Sequence, residues 1–329
     1  MRLGIAGCGR IAERGYVPAA LAAEGVMIAG FADPDPDRLQ KCAELWERGG
    51  DQAVAVAGLG ELLETPLDLL VVAAPTAHHL SLAEEAAAAG VRALVEKPPA
   101  PDLATAEQLA ALDPQPLLAF NRRFLQGHEL RDAIPTEGWL ELDLELRFRR
   151  EAWGAHQSHD EALLDAGIHL IDLACHLTHS APIAVRRAEI APEGANLELE
   201  LTRARARISC ATDRGHRELI TVHDRAGKEL AHSAWGGIRT RLSALTGRPD
   251  PLILSLRRQL EALRDLTPQL HHPLPLLGVG GGAVGGRRRG IRLPTAADGI
   301  TAMSIVEAAR RSAELDGAEV TVAPAGTQS

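Results

Sequence analysis

A glycine turn close to the start of the chain constrains the fold more than any other feature of the sequence. The segment Gly7-Cys8-Gly9-Arg10-Ile11-Ala12 fits the pattern G-x-G-x-x-A, follows an apolar run at 2–6 and precedes a helical pattern. In such a strand–turn–helix unit the first glycine permits a tight turn, the second lets a pyrophosphate approach, and the small third residue lets the helix lie against the sheet. The N–H groups at the helix start then face the phosphates. The pattern predicts a dinucleotide site at Gly7, Gly9, Arg10, Ile11 and Ala12, the alternative being an incidental glycine turn.

An aspartate after the second predicted strand bears on the choice of dinucleotide. Asp33 lies about twenty residues beyond the glycines, where a carboxylate accepts hydrogen bonds from ribose hydroxyls and repels a 2′-phosphate. Asp33 therefore favours NAD, although Arg38 is close enough in sequence to leave NADP open. Another role for Asp33, capping the helix that begins near Pro34, is also consistent with the sequence.

The first 120 residues alternate short apolar runs with helical patterns. Strands are predicted at 2–6, 26–32, 53–56, 67–74, 91–95 and 116–120, with helices between them. Strands that are separated by helices form a parallel, doubly wound sheet. We therefore predict a dinucleotide-binding domain that spans residues 1–121.

The pattern beyond residue 121 changes to strict alternation of apolar and charged residues. Such alternation predicts strands with one exposed face. These strands are expected at 139–149, 185–190, 196–201, 204–211, 218–223 and 229–232, with a helix at 163–177. Residues 122–329 are thus predicted to form an α/β domain with a mainly antiparallel sheet. Its C-terminal helix, at about 295–315, is a candidate to pack back on the first domain.

Composition and charge exclude several classes of partner. The chain of 329 residues suits two domains, and its net charge of −9 argues against nucleic acid, which favours clustered basic surfaces. We find neither a signal peptide nor an apolar run long enough for a membrane span. The four cysteines are widely separated, as is typical of reduced thiols. We expect a cytoplasmic protein, with the Gly/Arg-rich segment 278–290 as a loop.

A lysine lies where parallel sheets bind their ligands. Glu96-Lys97-Pro98 follows the strand predicted at 91–95 and therefore lies at its carboxyl end. The Lys97 ammonium can donate a hydrogen bond to a substrate oxygen or, with a lowered pKa, exchange a proton with it. The alternative is a surface lysine at a strand end.

Three polar residues share one face of an apolar helix. Asp165, His169 and Asp172 are spaced i, i+4 and i+7 within the helix predicted at 163–177. A polar stripe there is costly unless it is used or satisfied. A histidine oriented by a carboxylate is a workable acid/base pair, while a structural hydrogen-bond network and a metal site are alternatives. We expect no metal, because no further ligand has a suitable spacing.

Taken together, these motifs resemble the Gfo/Idh/MocA family of NAD(P)-dependent oxidoreductases, nearly end to end. The segments that carry the resemblance are the glycine turn, Pro75-Thr76-Ala77-His78-His79, Glu96-Lys97-Pro98, Phe120-Asn121-Arg122-Arg123-Phe124 and the stretch 164–172. The resemblance implies a Rossmann domain followed by an α/β domain with a large open, mainly antiparallel sheet, through which the family commonly forms homo-oligomers, here a dimer or tetramer. It also implies NAD as cofactor and a sugar, cyclitol or sugar nucleotide as small-molecule substrate.

The resemblance also implies roles for individual residues. The family's catalytic lysine, aspartate and histidine fall on Lys97, Asp165 and His169. Lys97 and His169 would bind the reacting oxygen, one of them would carry its proton, and Asp165 would hold the geometry. The residues expected to bind the cofactor beyond the glycine turn are Asp33, Ala74, Pro75, His79, Glu96, Lys97 and Asn121. Those expected to contact the substrate are Lys97, Arg122, Trp153, Asp165 and His169.

Two departures from the family pattern bear on the substrate. The family often has a run of glycines where this chain has Ser158-His159-Asp160-Glu161-Ala162, and the segment 278–290 is longer than usual. We expect a dehydrogenase or reductase that acts on a CH–OH or C=O carbon. The alternatives are a non-catalytic dinucleotide-binding sensor or assembly partner, and a reductase of a non-sugar substrate such as an aromatic diol or an imine.

Overall fold

The computed structural model describes residues 1–153, 161–236, 250–270 and 292–323. The described chain divides into two compact units. The first comprises Met1–Phe124 together with Leu252–Ala296, and the second comprises Leu125–Pro251 together with Ala297–Ser329. The predicted loop at 278–290 and residues 158–160 of the first departure lie outside the described residues.

The first unit is built on a parallel sheet of six strands. The strands are β1 (Arg2–Ala6), β2 (Met27–Ala32), β3 (Val54–Val56), β4 (Leu69–Val72), β5 (Ala93–Val95) and β6 (Leu117–Leu118). Their order is β3-β2-β1-β4-β5-β6, and each neighbouring pair is parallel. The predicted doubly wound sheet is confirmed. Because the strand order reverses between β1 and β4, the carboxyl ends of these two strands flank the crevice in which such sheets bind ligands.

Short helices connect these strands. They are a π-helical turn (Ala12–Tyr16), α1 (Val17–Ala22), α2 (Pro36–Glu47), α3 (Leu59–Leu63), α4 (His79–Ala88) and α5 (Leu103–Ala110). Side-chain caps start two of them: the Asp35 carboxylate accepts from the N–H groups of Asp37 and Arg38, and Asp102 accepts from that of Thr105. Such caps satisfy N–H groups that would otherwise have no partner within the helix.

A later part of the chain completes the core of the first unit. The helix α8 (Pro251–Asp265) buries Leu256, Leu260 and Leu263 completely, and these leucines pack with Tyr16 and other core residues of the first unit. The sequence assigns this segment to the second domain. The structure places Leu252–Ala296 in the first unit because its apolar face belongs to that core.

The second unit is built on a seven-stranded sheet. Its strands are β7 (Leu140–Arg149), β8 (Pro182–Ala191), β9 (Gly194–Leu201), β10 (Ala204–Ala211), β11 (Asp213–Asp224), β12 (Glu229–Gly236) and β13 (Val320–Thr321). The order is β12-β11-β7-β10-β9-β8-β13, and only the β7–β10 pair is parallel. The predicted mainly antiparallel sheet is confirmed. One face of β7 buries Leu140, Leu142, Leu144 and Leu146, as the alternating pattern predicts.

Helices cover the apolar face of this sheet. They are α6 (Gln126–Leu130), a π-helical turn (Leu163–Gly167) that continues into α7 (Ile168–Thr178), and α10 (Ala296–Glu314). The short helix α9 (Thr267–Leu270) belongs to the first unit instead. The C-terminal helix α10 is tied to β8, because the Ser312 hydroxyl accepts from the Ala188 N–H at 3.1 Å. None of the described helices combines the length and apolar character needed to cross a membrane.

Candidate active site

The predicted cofactor residues follow the carboxyl ends of the parallel strands. Because these ends lie at one edge of the sheet, residues far apart in sequence reach a common region. They are Gly7, Gly9, Arg10, Ile11 and Ala12 after β1, Asp33 after β2, Ala74, Pro75 and His79 after β4, Glu96 and Lys97 after β5, and Asn121 after β6.

Gly7 makes the tight turn that the motif requires. It has a φ of +97°, and its N–H donates to the Ala32 carbonyl at 2.8 Å. A Cβ atom at this position would lie 2.7 Å from the backbone of Ala73 and Ala74. Gly7 therefore lets β1, β2 and the end of β4 approach one another.

Gly9 leaves space at the surface of the same turn. A Cβ atom built there would meet no atom within 4 Å. The π-helical turn Ala12–Tyr16 follows directly, with Ala12 fully buried against the sheet. Open space next to the beginning of a helix fits a dinucleotide pyrophosphate, whose negative charge the N–H groups there would stabilise.

Asp33 is held rigidly beside the glycine turn. Its Oδ2 accepts from the Cys8 N–H at 2.6 Å and its Oδ1 from the Asp35 N–H at 2.8 Å, and the residue is buried. Asp35 caps α2, so the alternative role of Asp33 as that cap is not realised. A fixed carboxylate here suits ribose hydroxyls and disfavours a 2′-phosphate, as expected for NAD.

Glu96 is a buried carboxylate next to the candidate catalytic lysine. Its Oε1 accepts from the Tyr16 hydroxyl at 2.7 Å, and its Oε2 accepts from the Lys97 N–H at 3.1 Å. Burial raises the pKa of Glu96, an effect that the Tyr16 hydrogen bond and the Lys97 charge oppose. Burial, followed by the charge of Glu96, also raises the pKa of Tyr16 well above its usual value. The pair orders the backbone at Lys97.

His79 links the loops that follow β4 and β5. Its Nδ1 lies 3.0 Å from the Pro98 carbonyl, its Nε2 lies 2.9 Å from the Ala74 carbonyl, and the side chain is almost completely buried. A neutral imidazole carries one N–H, whereas an imidazolium can donate to both carbonyls. His79 thus holds the Ala74 and Pro98 carbonyls, and with them the ends of the two loops, in a fixed relation.

Asn121 and Arg122 lie together after β6. They belong to a 3-10 turn, Asn121–Phe124, in which Asn121 is buried and the Arg122 Nη1 donates to its Oδ1 at 3.2 Å. The hydrogen bond orients the Asn121 amide.

The second unit holds the other two candidate catalytic residues. Asp165 lies in the π-helical turn Leu163–Gly167, and His169 lies one turn later in α7. Nε and Nη2 of Arg150 each lie 3.1 Å from the Asp165 Oδ2. His169 and Asp172 are buried. Single π-helical turns are frequent at functional sites, and this chain has one at each of its two principal motifs.

One residue expected to contact the substrate lies at the edge of the described chain. Trp153 ends the 3-10 turn Arg150–Trp153, and its side chain lies outside the described residues. Within the four described stretches, no three His, Cys, Asp or Glu side chains are arranged to hold a metal ion.

Sequence reasoning missed two residues of the site, Tyr16 and Arg150. Tyr16 is the only tyrosine of the chain, and Arg150 follows the last residue of a predicted strand. Neither position lies in a motif. Their partners are 80 and 15 residues away, so no local spacing could reveal these contacts.

Comparison with known proteins bears on the first unit most directly. Residues 1–115 match the model of an oxidoreductase family with an NAD-binding Rossmann fold, the Gfo/Idh/MocA family. The N-terminal domain belongs to the Gfo/Idh/MocA family. The resemblance inferred from the motifs is thereby confirmed, and so is NAD as the cofactor of this domain.

The curated relatives match parts of the chain and include a galactose dehydrogenase. YceM of Salmonella typhimurium is 31% identical over 182 residues, which cover 54% of this chain and 56% of that protein. The chain thus spans just over half the length of this curated relative. Galactose 1-dehydrogenase of Pseudomonas fluorescens is 25% identical over 259 residues, covering 72% and 79% of the two chains.

Solved structures share the fold of both units. Myo-inositol dehydrogenase from Lactobacillus casei, in complex with NAD(H) and myo-inositol, superposes with a TM-score of 0.73. The alignment covers 100% of this chain and 98% of that chain, at 17% sequence identity. At 17% identity, the structural similarity is evidence about the fold only, and it confirms the fold of both units.

Proposed function

We propose that this protein is an NAD-dependent oxidoreductase that transfers a hydride between the nicotinamide and a CH–OH or C=O carbon of a sugar, cyclitol or sugar-nucleotide-like substrate. The observation that carries the proposal is Lys97, which follows Glu96 at the carboxyl end of β5 in an NAD-binding domain. The similarity to galactose 1-dehydrogenase supports a polyhydroxylated substrate.

The use of lysine at position 97 supports a proton-transfer role. Only three of the 35 basic side chains in this chain are lysines, namely Lys41, Lys97 and Lys228. An arginine stays protonated in proteins, whereas a lysine can lose its proton when its environment lowers its pKa. A lysine at the carboxyl end of β5 can therefore carry the proton of a reacting oxygen, which an arginine there could not.

Each group of the chain has a distinct task in this reaction. NAD, when bound, accepts the hydride. Gly9 and Ala12 give the pyrophosphate access to the start of the π-helical turn, and Asp33 binds the ribose. Lys97 would bind the reacting oxygen and carry its proton as the hydride leaves the carbon. In the second unit, Asp165 would orient His169.

The proposal is tested by turnover of NAD with a panel of aldoses, polyols and cyclitols, and by the reverse reaction with NADH and the matching ketones. Lys97→Met should lower kcat/KM by about 10²–10⁴-fold while NAD binding persists, because the variant loses the proton-transfer group. Lys228→Met, at an exposed hairpin of the second unit, is the matched control and should retain full activity.

The outcomes separate the proposed function from its rivals. Equal activity of the Lys97→Met variant and the unmodified protein would exclude Lys97 as the proton carrier. NAD binding without turnover of any panel member would instead favour a dinucleotide-binding sensor.

A further inference from the structure

Two of the four cysteines of the chain meet at the glycine turn of the first unit. The Cys42 thiol donates to the Cys8 carbonyl at 3.8 Å, and the Cys8 thiol donates to the Cys42 sulfur. Both residues are free cysteines, and both are buried in the core of this unit. The fold thus brings together two thiols that lie 34 residues apart in the sequence.

Each thiol belongs to a segment that adjoins the expected cofactor site. Cys8 lies between the two glycines of the turn, and its N–H donates at 2.6 Å to Asp33, the carboxylate expected to bind ribose. Cys42 lies in α2, which Asp35 caps, and the Asp35 N–H donates to Asp33 at 2.8 Å. The turn and α2 are therefore joined both by Asp33 and by the thiol pair, so a change at the thiols reaches the cofactor site.

We infer that hydrogen peroxide oxidises Cys8 and Cys42 to a reversible disulfide, and that this bond weakens the binding of NAD. The inference concerns only the NAD-binding first unit, so it depends neither on the proposed substrate nor on the proposed catalytic residues. Hydrogen peroxide is little larger than water and suits a pair that is 3% and 0% exposed, whereas bulky thiol reagents do not.

The oxidation consumes one peroxide for each pair of thiols. The Cys42 thiolate attacks a peroxide oxygen, the O–O bond breaks, and a sulfenic acid forms as the other oxygen leaves as water. The Cys8 sulfur then attacks the Cys42 sulfur, the S–O bond breaks, and the hydroxide leaves with the Cys8 proton as a second water. Two S–H groups are thereby oxidised to one S–S bond, and the peroxide is reduced to two water molecules.

The hydrogen bond between the thiols assigns these two roles. It is the largest influence on both groups, since it raises the pKa of Cys8 and lowers the pKa of Cys42. The Lys41 charge also lowers the pKa of Cys42, while burial and the charges of Glu13 and Asp33 oppose the lowering. Because the thiolate is the reactive form, Cys42 is the thiol that attacks the peroxide.

A disulfide changes the position of the turn relative to α2. The bond brings two sulfur atoms much closer together than a hydrogen bond does, so it draws Cys8 toward α2. The N–H groups of the turn, which are expected to face the pyrophosphate, move with Cys8. Loss of one such hydrogen bond weakens NAD binding by about threefold to tenfold. By linkage, bound NAD disfavours the disulfide to the same degree.

The experiment exposes the whole protein to hydrogen peroxide and measures both the bond and the affinity for NAD. Mass spectrometry of peptides prepared without reductant should find Cys8 joined to Cys42. Isothermal titration calorimetry should show that the oxidised protein binds NAD at least about threefold more weakly. Dithiothreitol should reverse both changes, and saturating NAD should slow the formation of the bond.

Two variants serve as a matched pair. Cys42→Ala removes one member of the thiol pair, so its affinity for NAD should not respond to peroxide. Cys175→Ala removes a half-buried cysteine of the second unit and should respond as the unmodified protein does. Circular dichroism checks the fold of each variant, and the peptide map of the unmodified protein provides a test that needs no variant.

Three results would overturn the inference. The first is the absence of any peptide that joins Cys8 to Cys42 after peroxide treatment. The second is an unchanged affinity for NAD when the bond has formed completely, which would show that the turn tolerates it. The third is an equal loss of affinity in a folded Cys42→Ala variant, which would assign the effect to oxidation of another residue.

Discussion

A carboxylate buried beside Lys97 shows how single residues shape the site. Water would normally stabilise the ionised form of Glu96, but here the Tyr16 hydroxyl and the Lys97 N–H take its place. Burial is the largest influence on Glu96 and raises its pKa. Ionised Glu96 therefore depends on these two donors, and the local stability depends on pH.

Tyr16→Phe tests this dependence. The variant keeps the ring but removes the donor to Glu96, so the pKa of Glu96 should rise further. When the pKa of Glu96 is higher in the folded than in the unfolded protein, the free energy of unfolding falls as the pH rises. The fall begins near the ordinary glutamate pKa and is complete above the pKa of Glu96 in the folded protein. The variant should therefore lose about 1–3 kcal/mol in the free energy of unfolding at about pH 8, and less at about pH 4, where Glu96 is protonated. Urea denaturation at both pH values measures the difference.

A loss of stability that is equal at both pH values would contradict this account. It would mean that the hydroxyl contributes to packing independently of the charge on Glu96.

The connection between β1 and the following helix depends on glycine at two positions for different reasons. Gly7 has a left-handed φ and no room for a Cβ atom, whereas the Cβ position of Gly9 faces open space. Substitution of each glycine in turn can therefore distinguish its role in folding from its role in NAD binding.

Gly7→Ala should lower the free energy of unfolding by about 1–3 kcal/mol, because alanine is strained at this φ and collides with the backbone after β4. Gly9→Ala should retain the melting temperature but bind NAD at least about tenfold more weakly, because the added methyl group occupies the space of the pyrophosphate. Differential scanning calorimetry and isothermal titration calorimetry measure the two effects. Unchanged NAD affinity in the Gly9→Ala variant would place the pyrophosphate elsewhere.

The two π-helical turns are a second feature at the scale of elements. Helical periodicity predicts helices at both places, and the structure has them there. A single π-helical turn shifts the backbone hydrogen bonds from i→i+4 to i→i+5. The spacing of apolar residues is too coarse to distinguish such a turn from an α-helical one. The predicted i, i+4 relation of Asp165 and His169 nevertheless survives, since both types of helix place these residues one turn apart.

At the scale of the molecule, the first unit is assembled from two distant parts of the chain. Leu256 of α8 packs against Gly15 in the π-helical turn, where a Cβ atom would lie 2.7 Å from its Cδ1. The N-terminal 121 residues alone would therefore expose a large apolar surface.

Leu256→Ala should lower the free energy of unfolding by about 2–5 kcal/mol, because it leaves a cavity behind the π-helical turn Ala12–Tyr16. Leu21→Ala removes a leucine that is 42% exposed and should change stability by less than about 0.5 kcal/mol. Chemical denaturation of the two variants gives the comparison. Similar losses in both would show that α8 does not complete the core of the first unit.

Local patterns in the sequence were sufficient for much of this structure. Alternating leucines identified β7, short apolar runs identified the parallel strands, and the glycine turn together with Asp33 indicated NAD. Each of these signals comes from residues close together in the chain, where the periodicity of a strand or a helix determines which side chains share a face.

Tertiary packing decided the remainder. The assignment of α8 to the first unit, the hydrogen bond from Tyr16 to Glu96, and the ion pair between Arg150 and Asp165 all join elements whose relation no sequence period records. The sequence by itself determined the elements, their order and the cofactor. Which buried carboxylate meets which donor depended on how those elements pack, because the free energy of burying a charge is set by neighbours in space rather than in sequence.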